Sequence, residues 1–152
     1  VSYLRLDKSY FEDDEILTYS DFKIDKALKY RNGNDYSIFA MGGILEEAVI
    51  ASDELVKDDI FCSVISFPTI KPIDGNAITR EISQTGNILT IEEHNLIGGL
   101  SSSVSEYCMQ NKIYPKEFKS LGLRDQYSSI VGSQKYLRRS YDLDSKTATF
   151  LA

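Results

Sequence analysis

Asn87-Ile88-Leu89-Thr90-Ile91-Glu92-Glu93-His94-Asn95-Leu96-Ile97-Gly98-Gly99-Leu100-Ser101-Ser102-Ser103 is the stretch on which the reading of this chain turns. Residues 87–91 form a short, largely apolar run, the composition of a strand buried on both faces. The run ends in two carboxylates and the only histidine of the chain. Gly98-Gly99 and the small residues after Leu100 suit a helix that packs closely against its neighbours. The stretch therefore reads as a strand over 87–91, a polar corner over 92–99, and a helix from Leu100 to about Gln110. Leu100, Val104, Tyr107 and Cys108 share one face of that helix. Polar residues at the end of a buried strand are where an α/β fold places its chemistry or its contacts.

The same grammar recurs on both sides. Residues 26–31 read as a short strand, followed by the turn Asn32-Gly33-Asn34-Asp35 and a second strand over 36–41 that ends at Gly42-Gly43. Over 44–57 the apolar residues Ile44, Leu45, Ala48, Val49, Leu55 and Val56 recur at helical spacing, and Asp58-Asp59 closes that helix. Residues 60–67 are a nearly continuous apolar strand. A rigid connector over 68–74 follows, and Asp74 caps a helix from Gly75 to about Gln84. Residues 117–123 read as a weaker strand. Ser133 caps a last helix through Tyr141, with Arg138 and Arg139 near its negative end. Upstream, residues 1–6 alternate like a strand, and residues 7–25 form an acidic linker pinned by Phe11, Ile16, Leu17 and Phe22.

Short strands alternating with helices imply right-handed crossovers and a largely parallel sheet between helix layers. A tight turn joins the first strand to the second, which makes the first the antiparallel member.

Composition narrows the function classes. At 152 residues, one domain with a real core is expected. A net charge of −6 argues against nucleic-acid or anionic-membrane partners, which call for a basic face. Cys62 and Cys108 sit in apolar segments without metal-ligand spacing, as reduced residues of a cytoplasmic protein would. One histidine and two separated cysteines do not make a standard zinc site. The sequence shows no signal peptide and no run long enough to span a bilayer.

The candidate site is the corner: Glu92, Glu93, His94, Asn95, Gly98 and Gly99. If strand geometry persists, Glu92 and His94 share a side and Glu93 faces the other way. A Glu beside a His favours the protonated imidazole and suits acid–base work. Neither a nucleophile nor a metal ligand lies nearby in sequence, so helix capping, an interface, or a substrate-side contact in a larger assembly are the stronger readings. Gly98-Gly99 opens a helix whose first amides favour anions, although Glu92 and Glu93 oppose one electrostatically.

These residues together form a pattern that resembles the C-terminal part of the transketolase family of thiamine-diphosphate enzymes. Thr90-Ile91-Glu92-Glu93-His94-Asn95 followed by Ile97-Gly98-Gly99-Leu100 is the strongest block. Phe67-Pro68-Thr69-Ile70-Lys71-Pro72-Ile73-Asp74 is close to a transketolase connector. Residues 35–42 and 48–55 resemble the family's strand, turn and Ala-rich helix. Gly132-Ser133-Gln134 with Tyr141-Asp142-Leu143-Asp144 resembles the tail, and Tyr3-Leu4-Arg5-Leu6 the end of the preceding pyrimidine-binding domain. Two departures stand in the tail: Asp142 where a glycine is common, and Ile130-Val131 where a more polar pair is usual.

The resemblance implies an α/β fold, a three-layer α/β/α domain with a five-stranded mixed sheet, mostly parallel with the first strand antiparallel. Residues 1–25 would be the end of the pyrimidine-binding domain and a linker, and residues 26–152 the C-terminal domain. It implies a full enzyme that moves a two-carbon ketol unit between sugar phosphates in the pentose phosphate pathway, using thiamine diphosphate and Mg, as a homodimer. None of the family's catalytic, cofactor-binding or metal residues falls on a position of this chain, so the isolated chain is expected to be inactive. Its partners would be the remaining transketolase domains or a companion subunit. Deoxyxylulose-phosphate synthases and the β subunits of 2-oxo-acid dehydrogenases carry a similar last domain, but the 68–74 connector favours transketolase. A freestanding interaction module that kept the fold is the alternative of a different class.

Overall fold

The structure, a computed structural model, describes Tyr3 and residues 22–151. The strand expected over 1–6 and most of the acidic linker lie outside the described residues. Five strands form one sheet in the order β1-β3-β2-β4-β5. They are β1 (Leu28–Arg31), β2 (Tyr36–Met41), β3 (Cys62–Ser66), β4 (Asn87–Asn95) and β5 (Glu117–Leu123). The helices are α1 (Leu45–Leu55), α2 (Gly75–Thr85), α3 (Leu100–Asn111), α4 (Gln134–Ser140) and α5 (Ser145–Leu151). Single 3-10 turns over Gly42–Ile44 and Val56–Asp58 flank α1.

The expected mixed sheet is present: β1 is antiparallel and β2, β3, β4 and β5 run parallel. The neighbour of β1 is β3, however, and not β2, to which the turn joins it. The turn explains this. A Cβ on Gly33 would lie 2.3 Å from the Phe61 carbonyl oxygen, so this backbone lies directly against the start of β3. The Asp35 N–H donates to Phe61 O at 3.0 Å, and the Phe61 N–H donates to Asp35 Oδ2 at 2.7 Å. The turn thus wraps the entry to β3 and sets the chain down one strand further on.

Side-chain alternation sends each strand's residues to opposite faces. Ile38, Ala40, Val64, Leu89, Ile91 and Leu121 face α1 and α5, meeting Leu45, Ala48, Val49, Leu55 and Ala148. Phe39, Ile65 and Ile88 face α2 and α3, meeting Ala77, Ile78, Ile82, Leu100, Val104 and Cys108. Burying a large apolar side chain of this kind contributes about 1.5–3 kcal/mol, so the two cores hold the layers together.

The ends of the helices follow the sequence. Asp74 accepts from the Ala77 N–H at 3.1 Å to cap α2, and its other oxygen takes the Ala27 N–H at 3.0 Å, tying the approach to β1 to the connector. Gly86 ends α2 at φ 74°, and Ser133 caps α4 as expected. Three boundaries differ. β3 is shorter than expected, Cys62–Ser66, because Asp35 takes the Phe61 N–H at its start. β4 continues through Asn95, so the expected corner is partly strand. A further helix, α5, follows the one expected to be last; the Asp144 carboxylate caps it through the Thr147 N–H at 3.1 Å.

Candidate functional site

The crossover after β2 runs through α1 to β3, and the crossover after β4 runs through α3 to β5. The direction of winding therefore changes between β2 and β4, where Met41 and Glu92 are register partners. In open α/β sheets this change opens a crevice beyond the strand ends, the usual position for a ligand. The expected site residues stand here, and the chain's own side chains fill the position.

Glu92 points to the α2–α3 face and is 1% exposed. Its Oε2 accepts from the Leu100 N–H at 2.7 Å and its Oε1 from the Ser101 N–H at 2.9 Å. A Cβ on Gly99 would come within 1.9 Å of Glu92 Oε2, so glycine is required there to let the carboxylate in. Burial pushes the Glu92 carboxyl pKa up; the two amide hydrogen bonds and His94 pull the other way without cancelling it. The helix-start amides that would receive an anion are thus taken by an internal carboxylate.

Glu93 points to the other face, as expected from strand alternation, and meets Arg138 of α4. Arg138 Nε donates to Glu93 Oε1 at 2.9 Å and Nη2 donates to Oε2 at 3.0 Å. The Gln134 amide adds a bond to Oε2 at 3.0 Å. Arg138 is 4% exposed, and Glu46 and Glu47 of α1 approach its Nη1 at 3.4 Å and 3.6 Å. Glu47 also accepts from the Ser145 N–H at 2.7 Å, at the start of α5. Burial works against the Arg138 charge, but the Glu93 hydrogen bonds and the three carboxylates together raise its pKa above the ordinary arginine value. Arg138 stands in the last turn of α4, as expected, and its side chain turns inward to bond β4 and α1.

His94 is exposed, with Nδ1 2.9 Å from Asn95 O, while the Asn95 amide donates to Asp125 at 3.3 Å. Both oxygens of Glu92 are committed to α3, so the Glu–His pair has no free carboxylate to work with. The loop after β4 is held from both sides. The Leu96 N–H donates to Leu123 O at 3.1 Å, the Gly98 N–H to Ser102 Oγ at 2.9 Å, and that hydroxyl to Leu96 O at 2.8 Å. Gly98 holds φ +82°, a left-handed conformation that favours glycine.

Sequence reasoning missed Gln134, Arg138, Glu46 and Glu47. One signal was available: a carboxylate on a buried strand needs a cation, and an arginine is the usual one. It also missed a cavity of about 420 Å³ beside the end of β5, lined by Leu96, Ser120, Leu123, Arg124, Gln126 and Tyr141 among others.

A diphosphate with its divalent cation does not fit at the crevice. The helix-start amides there are occupied by Glu92, and the other wall carries three carboxylates around one guanidinium. Among the described residues no three His, Cys, Asp or Glu stand where they could hold a metal ion. Burial pushes the Cys62 thiol up to about 12, and burial also raises Cys108, so neither is a ready nucleophile. No helix of the described residues is long and apolar enough to cross a membrane.

Comparison with known proteins agrees with this geometry. Residues 25–146 match the family model described as transketolase, C-terminal domain. The chain is 34% identical over 126 residues to a 6-deoxy-6-sulfo-D-fructose transketolase subunit, SqwH, of Clostridium sp. (strain MSTE9), covering 83% of this chain and 38% of that one. It is 31% identical over 114 residues to the 1-deoxy-D-xylulose-5-phosphate synthase of Syntrophus aciditrophicus (strain SB), covering 75% of this chain and 17% of that one. A solved split-gene transketolase, an inactive β4 tetramer, superposes with a TM-score of 0.76 at 27% identity, over 85% of this chain and 40% of that one. The chain thus spans well under half the length of these relatives.

Proposed function

The chain belongs to the transketolase family as its C-terminal domain, and from that premise we propose that it is the assembly domain of a ketol-transferring enzyme and not a catalyst by itself. The reaction of the whole enzyme is transfer of a two-carbon ketol unit between sugar phosphates, as in the pentose phosphate pathway. Thiamine diphosphate and Mg supply that chemistry, bound outside the domain formed by residues 25–146. The observation that carries the reading is the commitment of the corner: Glu92 holds α3, and Glu93 holds α4 through Arg138. Among the described residues, both carboxylates at the change of winding are thus engaged by the domain's own groups. The role of Glu92, Glu93, His94, Asn95, Gly98 and Gly99 is to build a rigid end of the domain against which the cofactor-binding domains sit.

The relatives described as subunits support a partner on a separate or preceding stretch of polypeptide. The assembled enzyme is a cytoplasmic homodimer of such pairs. A second reading, the last domain of a deoxyxylulose-phosphate synthase, is supported by the synthase relatives, and it places the same corner in the same role. The reaction product of the assembled enzyme separates the two.

Calorimetric titration of the chain with thiamine diphosphate and Mg tests the proposal. The expected result is no saturable heat. Micromolar binding by the chain alone would overturn it, because a cofactor-binding chain is more than an assembly domain.

A further inference from the structure

We infer that the free edge of β5, with the cavity beside its end, is a docking surface for an extended polypeptide segment that carries acidic side chains. This is a lateral surface of the sheet, separate from the Glu92 corner, and it stands independently of the assembly role proposed above.

The main chain of β5 carries the inference first. Among the described residues β5 has one neighbour in the sheet, β4. The Glu117 N–H donates to Gly86 O, and Leu123 O accepts from the Leu96 N–H. Alternate residues of an edge strand turn their main-chain groups to the neighbouring strand, and those between turn theirs away. Glu117, Lys119, Leu121 and Leu123 therefore face β4. Phe118, Ser120 and Gly122 turn their N–H and C=O groups outward, where the main chain of no other described residue bonds them. The sheet's other edge differs. β1 is four residues long, shifts register between Lys29 and Arg31, and carries both cations, three devices that keep a further strand away. β5 is seven residues long and keeps register with β4 from Glu117 to Leu121. An edge of that length with open N–H and C=O groups is a template for an added strand.

Space is the second observation. The cavity of about 420 Å³ lies at the end of this edge. Ser120 and Gly122, two of the residues with outward main-chain groups, line it together with Arg124, Gln126, Tyr141 and Asp142. A strand added along β5 thus finds room there for a side chain.

Charge names the occupant. Lys116 and Arg124 are exposed at the two ends of β5, and among the described residues neither is ion-paired. Lys119, between them, is held by Glu117 at 2.9 Å. A chain of net charge −6 so keeps an unpaired cation at each end of its open edge. At about 3.3 Å per residue the two stand about 26 Å apart, the span of a strand of seven or eight residues. Asp142 lines the cavity as well, so the cavity takes a single carboxylate, beside Arg124. An extended segment with a carboxylate near each end meets both cations, whereas a basic segment meets like charge.

The test titrates the isotope-labelled chain with an acetylated and amidated heptapeptide, Glu-Val-Thr-Val-Thr-Val-Glu, and follows the amide resonances of Phe118, Ser120 and Gly122. Saturable shifts of these three amides are expected. Ser120→Pro removes an outward N–H without touching the ladder to β4, and is expected to weaken binding about tenfold. Ser120→Ala keeps that N–H and loses only the hydroxyl bonded to Ser101, so binding should stay unchanged. Arg124→Gln, at an exposed position, is expected to weaken binding about threefold. The same peptide with lysine in place of both glutamates should bind about tenfold more weakly. Circular dichroism checks that each variant is folded. No saturable shift at millimolar peptide, or equal weakening by Ser120→Ala and Ser120→Pro, would overturn the surface. Equal binding of the lysine peptide would overturn the acidic occupant. Concentration-dependent self-association that Ser120→Pro abolishes would replace that occupant with a second copy of this chain.

Discussion

Arg138 and Glu93, 45 residues apart in sequence, meet in a two-bond fork of 2.9 Å and 3.0 Å that fixes α4 to the end of β4. A planar guanidinium matched to a carboxylate in this way is directional as well as strong. Removing the arginine leaves Glu93, Glu46 and Glu47 without the guanidinium they share. Arg138→Leu is therefore expected to cost about 3–5 kcal/mol of unfolding free energy in urea. The double variant Arg138→Leu, Glu93→Leu should recover part of that loss. Equal loss in single and double variants would mean that the cost lies in packing and not in the stranded charge.

Glu92 links pH to stability. Its folded-state pKa lies above the ordinary 4.5, chiefly through burial, so the folded chain holds this proton more tightly than the unfolded chain does. The stability contributed by that proton is complete below about pH 4.5 and is lost as the pH rises through the raised value. A Glu92→Gln variant has no such proton. The unfolding free energy of the native chain minus that of the variant is thus expected to fall between pH 4.5 and pH 7. A difference that stays flat or grows across this window contradicts the assignment.

The paired glycines of the corner serve different ends, and alanine separates them. At Gly99 a Cβ would strike Glu92 Oε2 at 1.9 Å, so Gly99→Ala must displace a buried, hydrogen-bonded carboxylate. At Gly98 a Cβ meets nothing within 4 Å and only the φ of +82° opposes it. Overpacking costs about 1–3 kcal/mol and displacement of the carboxylate adds to it, whereas left-handed backbone costs an L-residue about 1–2 kcal/mol. Urea titration should find Gly99→Ala the more destabilising. The reverse order would mean that the Glu92 cap is dispensable.

Asp142 holds φ 55° between α4 and α5. Asp142→Gly relieves that left-handed strain and is expected to stabilise the chain by about 0.5–1 kcal/mol, seen as a rise in Tm. A fall in Tm would show that the Asp142 side chain contributes more than its backbone costs.

Much of this fold is legible in the sequence because strand and helix periods alternate cleanly from Tyr36 to Leu123, and because Asp74 and Ser133 carry the chemistry of helix starts. What escaped reading was set by partners distant in sequence. β1 lies beside β3 because Gly33 and Asp35 grip Phe61, a contact that no local pattern of the turn announces. Glu92, Glu93 and His94 read as a corner because carboxylates seldom lie on a buried strand; the α3 amides and Arg138 that make it affordable come from elsewhere. α5 escaped because Ser145-Lys146-Thr147-Ala148-Thr149-Phe150-Leu151 has weak intrinsic helicity and is held by Asp144 and by Ala148 in the core.

The central claim is that this chain completes a thiamine-diphosphate enzyme without supplying its chemistry. Ketol transfer between sugar phosphates, assayed with thiamine diphosphate and Mg, tests it most directly when the chain alone is compared with the chain mixed with the polypeptide bearing the cofactor-binding domains. The prediction is no turnover above the protein-free blank for the chain alone, and turnover in the mixture. Turnover by the chain alone would contradict it.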